Sequence, residues 1–161
     1  MTTRTKAVLV AAMLAPLAAA QIKAGPIYRA EFTIRDSGDP GAKAPRKYTL
    51  TLAEHVKSTF KVGNRVPMAT GTAGGATQYT YVDVGVNIDC VVGEQEGRVG
   101  MHADVDLSTA VASDKSPNPT ISQIRLNIDT TLAAGKPSVV ASFDDPVTSR
   151  KFEVEVMLTK L

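Results

Sequence analysis

The stretch from Tyr79 to Leu107, YTYVDVGVNIDCVVGEQEGRVGMHADVDL, constrains the fold more than any other part of the chain. Val82, Val84, Val86, Ile88, Cys90 and Val92 occupy alternate positions. After a short polar break flanked by Gly93 and Gly97, the alternation resumes through Val99, Met101, Ala103, Val105 and Leu107. A period of two gives each run one apolar face, and the glycine-containing break between them predicts a β-hairpin. Residues directly opposite one another must share a face, so an even apolar position of the first run must meet an odd one of the second. The register expected on that rule sets Val92 opposite Val99, Cys90 opposite Met101, Ile88 opposite Ala103 and Val86 opposite Val105. On the polar face it sets Asp89 opposite His102 and Asn87 opposite Asp104.

More strands complete the sheet. Tyr28, Ala30, Phe32 and Ile34 alternate with Arg29, Glu31, Thr33 and Arg35, a strand with one wet face. Asp36 to Pro45, DSGDPGAKAP, has turn chemistry, and a second strand returns through Tyr48, Leu50 and Leu52. Ala53 to His55 reads as a weak turn into a third strand with Phe60 and Val62, the three forming a possible meander. Gly63 to Gln78, rich in glycine and small polar residues, reads mostly as a flexible loop, with Arg65 to Pro67 as a possible edge segment. Pro117 and Pro119 end the strand that follows the hairpin. Ile124, Leu126 and Ile128 alternate again, Ala133 to Lys136 form a tight turn, and Val139, Ala141 and Phe143 return from it. Phe152, Val154, Val156 and Leu158 form the last strand. The expectation is an all-β domain of about eight strands, an antiparallel sandwich or barrel-like sheet.

Residues 1–20 stand apart from this pattern. A basic start with Arg4 and Lys6, an apolar run from Ala7 to Ala20 and small residues before Gln21 match a secretory signal peptide, leaving residues 21–161 as one domain. Exported, the domain would lie in the periplasm or be secreted, with an outer-membrane association open to it. Of the 18 basic residues, Arg4 and Lys6 fall in that segment, so 16 bases face 16 acids beyond it. A neutral balance offers no basic excess for nucleic acid or an anionic membrane surface. Cys90 is the only cysteine, which excludes an intrachain disulfide; its place on the apolar face favours a buried thiol over an intermolecular link.

The one cluster with chemical promise lies on the polar side of the hairpin. His102, Asp104 and Asp106 project from one face, with Asp89 nearby. Carboxylates with an imidazole could hold a divalent cation, calcium by preference, although cross-strand polar pairs on a solvated face are the simpler reading. His55, beside Glu54, reads as a surface residue. No nucleophile elbow, phosphate loop, dinucleotide fingerprint or HExxH motif is present, so neither an enzyme nor a cofactor is expected.

Taken in order, VGNRVP from Val62, a Gly/Thr-rich loop, YVDVGVNIDCVV, GRVGMHADVDLS and ISQIRLNIDTTLAAGKPSVVAS form a string that resembles the β-domain of bacterial secretins. Secretins are the outer-membrane pore subunits of type II and type III secretion and of type IV pilus systems. Gly63, Pro67, Tyr81, Asp83, Val84, Gly85, Val86, Ile121, Arg125 and Gly135 sit where that pattern expects them, and the resemblance covers roughly residues 60–143. The chain departs from it after Val140, where ASFDDPVTSRKFEVEVMLTKL replaces the glycine- and proline-rich end of a secretin, and it carries no repeated ring-building domains. The resemblance implies a short stand-alone secretin-like domain with a structural or interaction role, protein partners in the envelope and possible self-association. The alternative is a periplasmic or secreted β-sandwich binding module, with Asp89, His102, Asp104 and Asp106 as its metal candidates.

Overall fold

A computed structural model describes residues 25–36, 44–73, 76–112, 116, 118–145 and 151–161. The expected signal segment and the greater part of the Asp36–Pro45 turn lie outside these residues. Eight strands are present among the described residues: β1 (Ile27–Asp36), β2 (Arg46–Ala53), β3 (Ser58–Ala73), β4 (Ala76–Gln95), β5 (Arg98–Val111), β6 (Thr120–Leu132), β7 (Ser138–Asp144) and β8 (Lys151–Lys160). They form two antiparallel sheets, ordered β2-β1-β8-β7 and β3-β4-β5-β6. The alternating apolar residues of both sheets meet in one core that includes Tyr28, Phe32, Leu52, Ile88, Val105, Val156 and Leu158. Each fully buried side chain of that kind contributes about 1.5–3 kcal/mol, so the two inner faces hold the sandwich together.

Parity correctly fixes which residues point inward, but the hairpin register differs from expectation by two residues. Val92 pairs with Met101, Cys90 with Ala103, Ile88 with Val105 and Val86 with Leu107. On the polar face Asp89 meets Asp104, Asn87 meets Asp106, and His102 meets Val91. The cause is the turn. Glu96 and Gly97 both have positive φ, 50° and 77°, the signature of a tight two-residue loop that brings Gln95 opposite Arg98. Gly93 is a strand residue.

Three further expectations change. The first three strands are not a meander: β1 and β2 pair, whereas β3 joins the other sheet. His55 redirects the chain there, with φ at 60° and its N–H donating to the Val92 carbonyl at 2.8 Å. Similarly, β7 pairs with β8 and not with β6, and a bulge between Val139 and Ala141 leaves Val139 exposed. Residues 63–73 and 76–78, expected as loop, are the outer arms of the β3–β4 hairpin. Their backbone pairing needs little from side chains, and a doubly bonded clamp secures them. Ala69 N–H donates to Asn118 Oδ1 at 2.6 Å, and Asn118 Nδ2 donates to the Ala69 carbonyl at 2.9 Å. The edge position expected for Arg65 to Pro67 is borne out, since β3 borders its sheet.

Polar stitching closes one end of the sandwich. Tyr28, fully buried in β1, donates from its hydroxyl to Glu94 Oε2 of the opposite sheet at 2.9 Å, and Lys160 Nζ of β8 reaches the same oxygen at 2.6 Å. Glu94 N–H in turn donates to Glu54 Oε1 at 2.8 Å. At the other end the second sheet outruns the first, and Tyr79 and Tyr81 stand exposed on the long hairpin.

Candidate interaction face

The outer face of the β3–β6 sheet carries every polar residue singled out from sequence. Odd positions of β3, β4 and β6 and even positions of β5 share it, because their neighbours face the core. Near its middle Gly63 lies opposite Gly85, which leaves a trough bounded by Lys61, Arg65, Asn87, Asp106 and Ser108. Ser108 supports the floor: Gly85 N–H donates to its Oγ at 2.9 Å, where the β4–β5 ladder ends.

The four metal candidates do share this face, but each is engaged with a residue from another strand or turn. Asp89 Oδ2 lies 2.7 Å from Lys57 Nζ. Asp104 Oδ1 accepts from Asn127 Nδ2 at 2.7 Å, and Asp106 Oδ1 lies 2.9 Å from Arg125 Nε. His102 Nδ1 is 2.7 Å from Asp129 Oδ1, and its Nε2 is 3.6 Å from Asp104 Oδ2. Hydrogen bonding to Lys57 holds the Asp89 carboxyl below the ordinary aspartate range, and bonding to Asp129 raises the His102 imidazole above the ordinary histidine range. Among the described residues no three His, Cys, Asp or Glu side chains are arranged to hold a metal ion. The pair expected between Asp89 and His102 does not form, because the two-residue turn shifts the register.

The partners Lys57, Asn127 and Asp129 were not singled out from sequence, since they come from neighbouring elements whose register no local pattern fixes. Arg125 stands out in the sequence through its place in the secretin-like motif. His55 is exposed, as expected, yet its ring lies so near Gly93 that a Cβ there would be 2.7 Å from its Cε1. The chemistry available on this face is recognition by ion pairs and amides. His102 and Asp129 resemble half of a catalytic relay, but the hydrogen bonds described for His102 include no serine, threonine or cysteine. Cys90 lies in the core, where burial pushes its thiol up to about 12.

The two-sheet architecture recurs in solved secretins. The ETEC pilotin–secretin AspS–GspD complex matches with a TM-score of 0.56 and 11% identity, over 84% of this chain and 47% of that one. The type II secretin GspD of E. coli K12 matches at 0.54 and 11% over 84% of this chain and 48% of that one. The Salmonella SPI-1 injectisome secretin InvG matches at 0.51 and 10%, over 84% of this chain and 62% of that one. The fold is that of a secretin domain. The chain spans about half the length of the type II secretin chains named here. No family model and no curated protein matches at the sequence level. The secretin-like motif residues Gly63 and Gly85 form the directly opposed pair in the trough, and Arg125 is the partner of Asp106.

Proposed function

We propose that this chain is a non-enzymatic envelope protein whose secretin-like domain serves as a structural, protein-binding module in a secretion- or pilus-type assembly. The observation that carries this reading is the fold match to secretins of type II and type III systems over 84% of the chain. Two features of the molecule support it. Among the described residues each sheet ends in strands paired on one side only, β2 and β7 in one and β3 and β6 in the other, and such edges are suited to pairing with another chain. The polar face is occupied by internal ion pairs, an arrangement suited to a surface and not to a reaction centre. Residues 1–20 would direct the chain out of the cytoplasm, to the periplasm or to secretion, with an outer-membrane association open to it and its protein partners in the cell envelope.

The test is fractionation and in-cell cross-linking of the tagged full chain in its own host. Recovery with an envelope protein complex is the expected result. A protein that stays in the cytoplasmic fraction, or that cross-links to no envelope protein, would overturn the reading.

A further inference from the structure

The trough on the outer face of the β3–β6 sheet runs across the strands, along the row Gly63, Gly85, Ser108 and Gln123. Two glycines and a serine raise little above the backbone there, whereas both neighbouring rows carry long polar side chains. Arg65 and Asp83 form one wall, and Lys61, Asn87 and Asp106 form the other. The space between them is about 410 Å³, within the range of about 300–1,000 Å³ that small-molecule sites occupy.

The charges around this space do not cancel. Asp83 alone answers two cations: its Oδ2 lies 3.3 Å from Lys61 Nζ and its Oδ1 3.4 Å from Arg65 Nε. Asp106 is answered by Arg125 at 2.9 Å. Three bases thus stand against two acids, a local excess of one positive charge, although residues 21–161 balance 16 bases with 16 acids. Arg65 is also held in place. Its guanidinium carbon lies 5.4 Å from the Tyr81 ring centre and its Nε faces Asp83, while among the described residues neither Nη group has a partner. A guanidinium gripped on one face and one edge presents its remaining N–H groups as a fork that matches a carboxylate. The side chains of Asn87 and Gln123 make no hydrogen bond among the described residues, so two carboxamides offer both donors and acceptors.

We propose that this trough binds a sugar acid, one pyranose ring with its carboxylate on Arg65 and Lys61 and its hydroxyls on Asn87, Ser108 and Gln123. The argument is charge complementarity. An excess of one positive charge calls for a single anion, which a carboxylate supplies.

A phosphate monoester, with about −1.5 to −2 charge at pH 7, overfills it. Asp106 repels the carboxylate and so orients the ring toward β3. The carboxamides and Ser108 both donate and accept, as each hydroxyl of a sugar does. The low glycine floor lets a flat ring lie against backbone. An extended peptide fits less well, because it pairs along a strand and this trough crosses the strands.

Nitrogen–proton NMR titration of the purified full chain with glucuronate tests the site independently of the envelope reading. The backbone amides of Gly63 and Gly85 and the side-chain amides of Asn87 and Gln123 should shift together and saturate. Glucose, which lacks the carboxylate, and triglycine, which lacks the ring, should each bind about tenfold more weakly or worse. Arg65→Gln should weaken glucuronate binding by about tenfold or more and remove its preference over glucose. Arg29→Gln, on β1 of the other sheet, should leave binding unchanged. The Arg65 side chain is 73% exposed, so circular dichroism should show that variant folded. Tighter binding of a linked di-uronate would place the ring in a glycan chain, and equal binding would assign the site to the free sugar acid; both agree with the proposal. Shifts that do not saturate or lie away from the trough, equal binding of glucose or triglycine, or an Arg65→Gln variant that binds like the parent would overturn it. Recovery of envelope partners bears only on the previous reading.

Discussion

Gly63 and Gly85 face each other across β3 and β4 so closely that a Cβ on either would lie 2.2 Å from a carbonyl oxygen of the facing strand. Gly85 also has φ at +150°, a conformation that side chains disfavour. Gly85→Ala should therefore destabilise the fold by roughly 2–4 kcal/mol, through overpacking against backbone and through strain. Gly135, with φ at +76° but open space around it, separates the two effects. Gly135→Ala should cost only about 1–2 kcal/mol. Urea denaturation midpoints of the two variants check the difference, and equal shifts would contradict it.

Tyr28→Phe should lower stability by about 1 kcal/mol, because one hydrogen bond between the sheets is lost while Glu94 keeps Lys160. The same cluster sets an acid response. Hydrogen bonds from Lys160 and Tyr28 hold the Glu94 carboxyl below the ordinary glutamate range. Its contribution is present above the unfolded value near 4.5 and fades as pH falls through the lower folded value. Thermal melts between pH 7 and pH 3 should show that loss, and Glu94→Gln should flatten it.

His102 responds in the opposite direction. Its folded value is raised, chiefly by the hydrogen bond to Asp129, so the stability it brings is complete below the unfolded value near 6.5 and disappears as pH rises through the folded value. Nitrogen-resolved NMR titration should place the His102 midpoint above 6.5 and return it toward that value in Asp129→Asn. A midpoint unmoved by that substitution would show that Asp129 is not the cause.

Cys90 should be inert in the native state. With the side chain buried and the thiol raised to about 12, little thiolate exists at pH 8 and reagents have no path to it. Labelling by a thiol-reactive disulfide should therefore proceed only through unfolding and accelerate with urea. Rapid labelling of folded protein would count against the burial described here.

Much of the core was legible because burial on one face imposes a period of two. Tyr28 to Ile34, Ile88 to Val92 and Val154 to Leu158 all point where their alternation places them. The pairing of those runs was less accessible. Gly93 and Gly97 look alike in sequence, yet only Gly97 occupies the left-handed turn, and that choice decides the register of β4 on β5. The arms of the β3–β4 hairpin were hidden for a different reason. Glycine, threonine and alanine carry almost no face preference, and the clamp from Asn118 comes from 49 positions away. The candidate site shows the same division: His102, Asp104 and Asp106 announce their shared face, but Asp129, Arg125 and Asn127 become their partners only through strand order.

That order has a consequence for how the molecule comes into being. β8 runs between β1 and β7, so among the described residues the earliest strand completes its pairing with the latest. A chain delivered from its N-terminus holds β1 and β2 as an isolated two-stranded ribbon, marginal in water, until residues 151–160 arrive. The β3–β6 meander can assemble sooner, since each of its strands pairs with its neighbour in sequence, but its inner face then waits without a cover. The two sheets are in this sense indivisible: neither has a finished core until β8 has been made, and only then can the domain commit to its native packing.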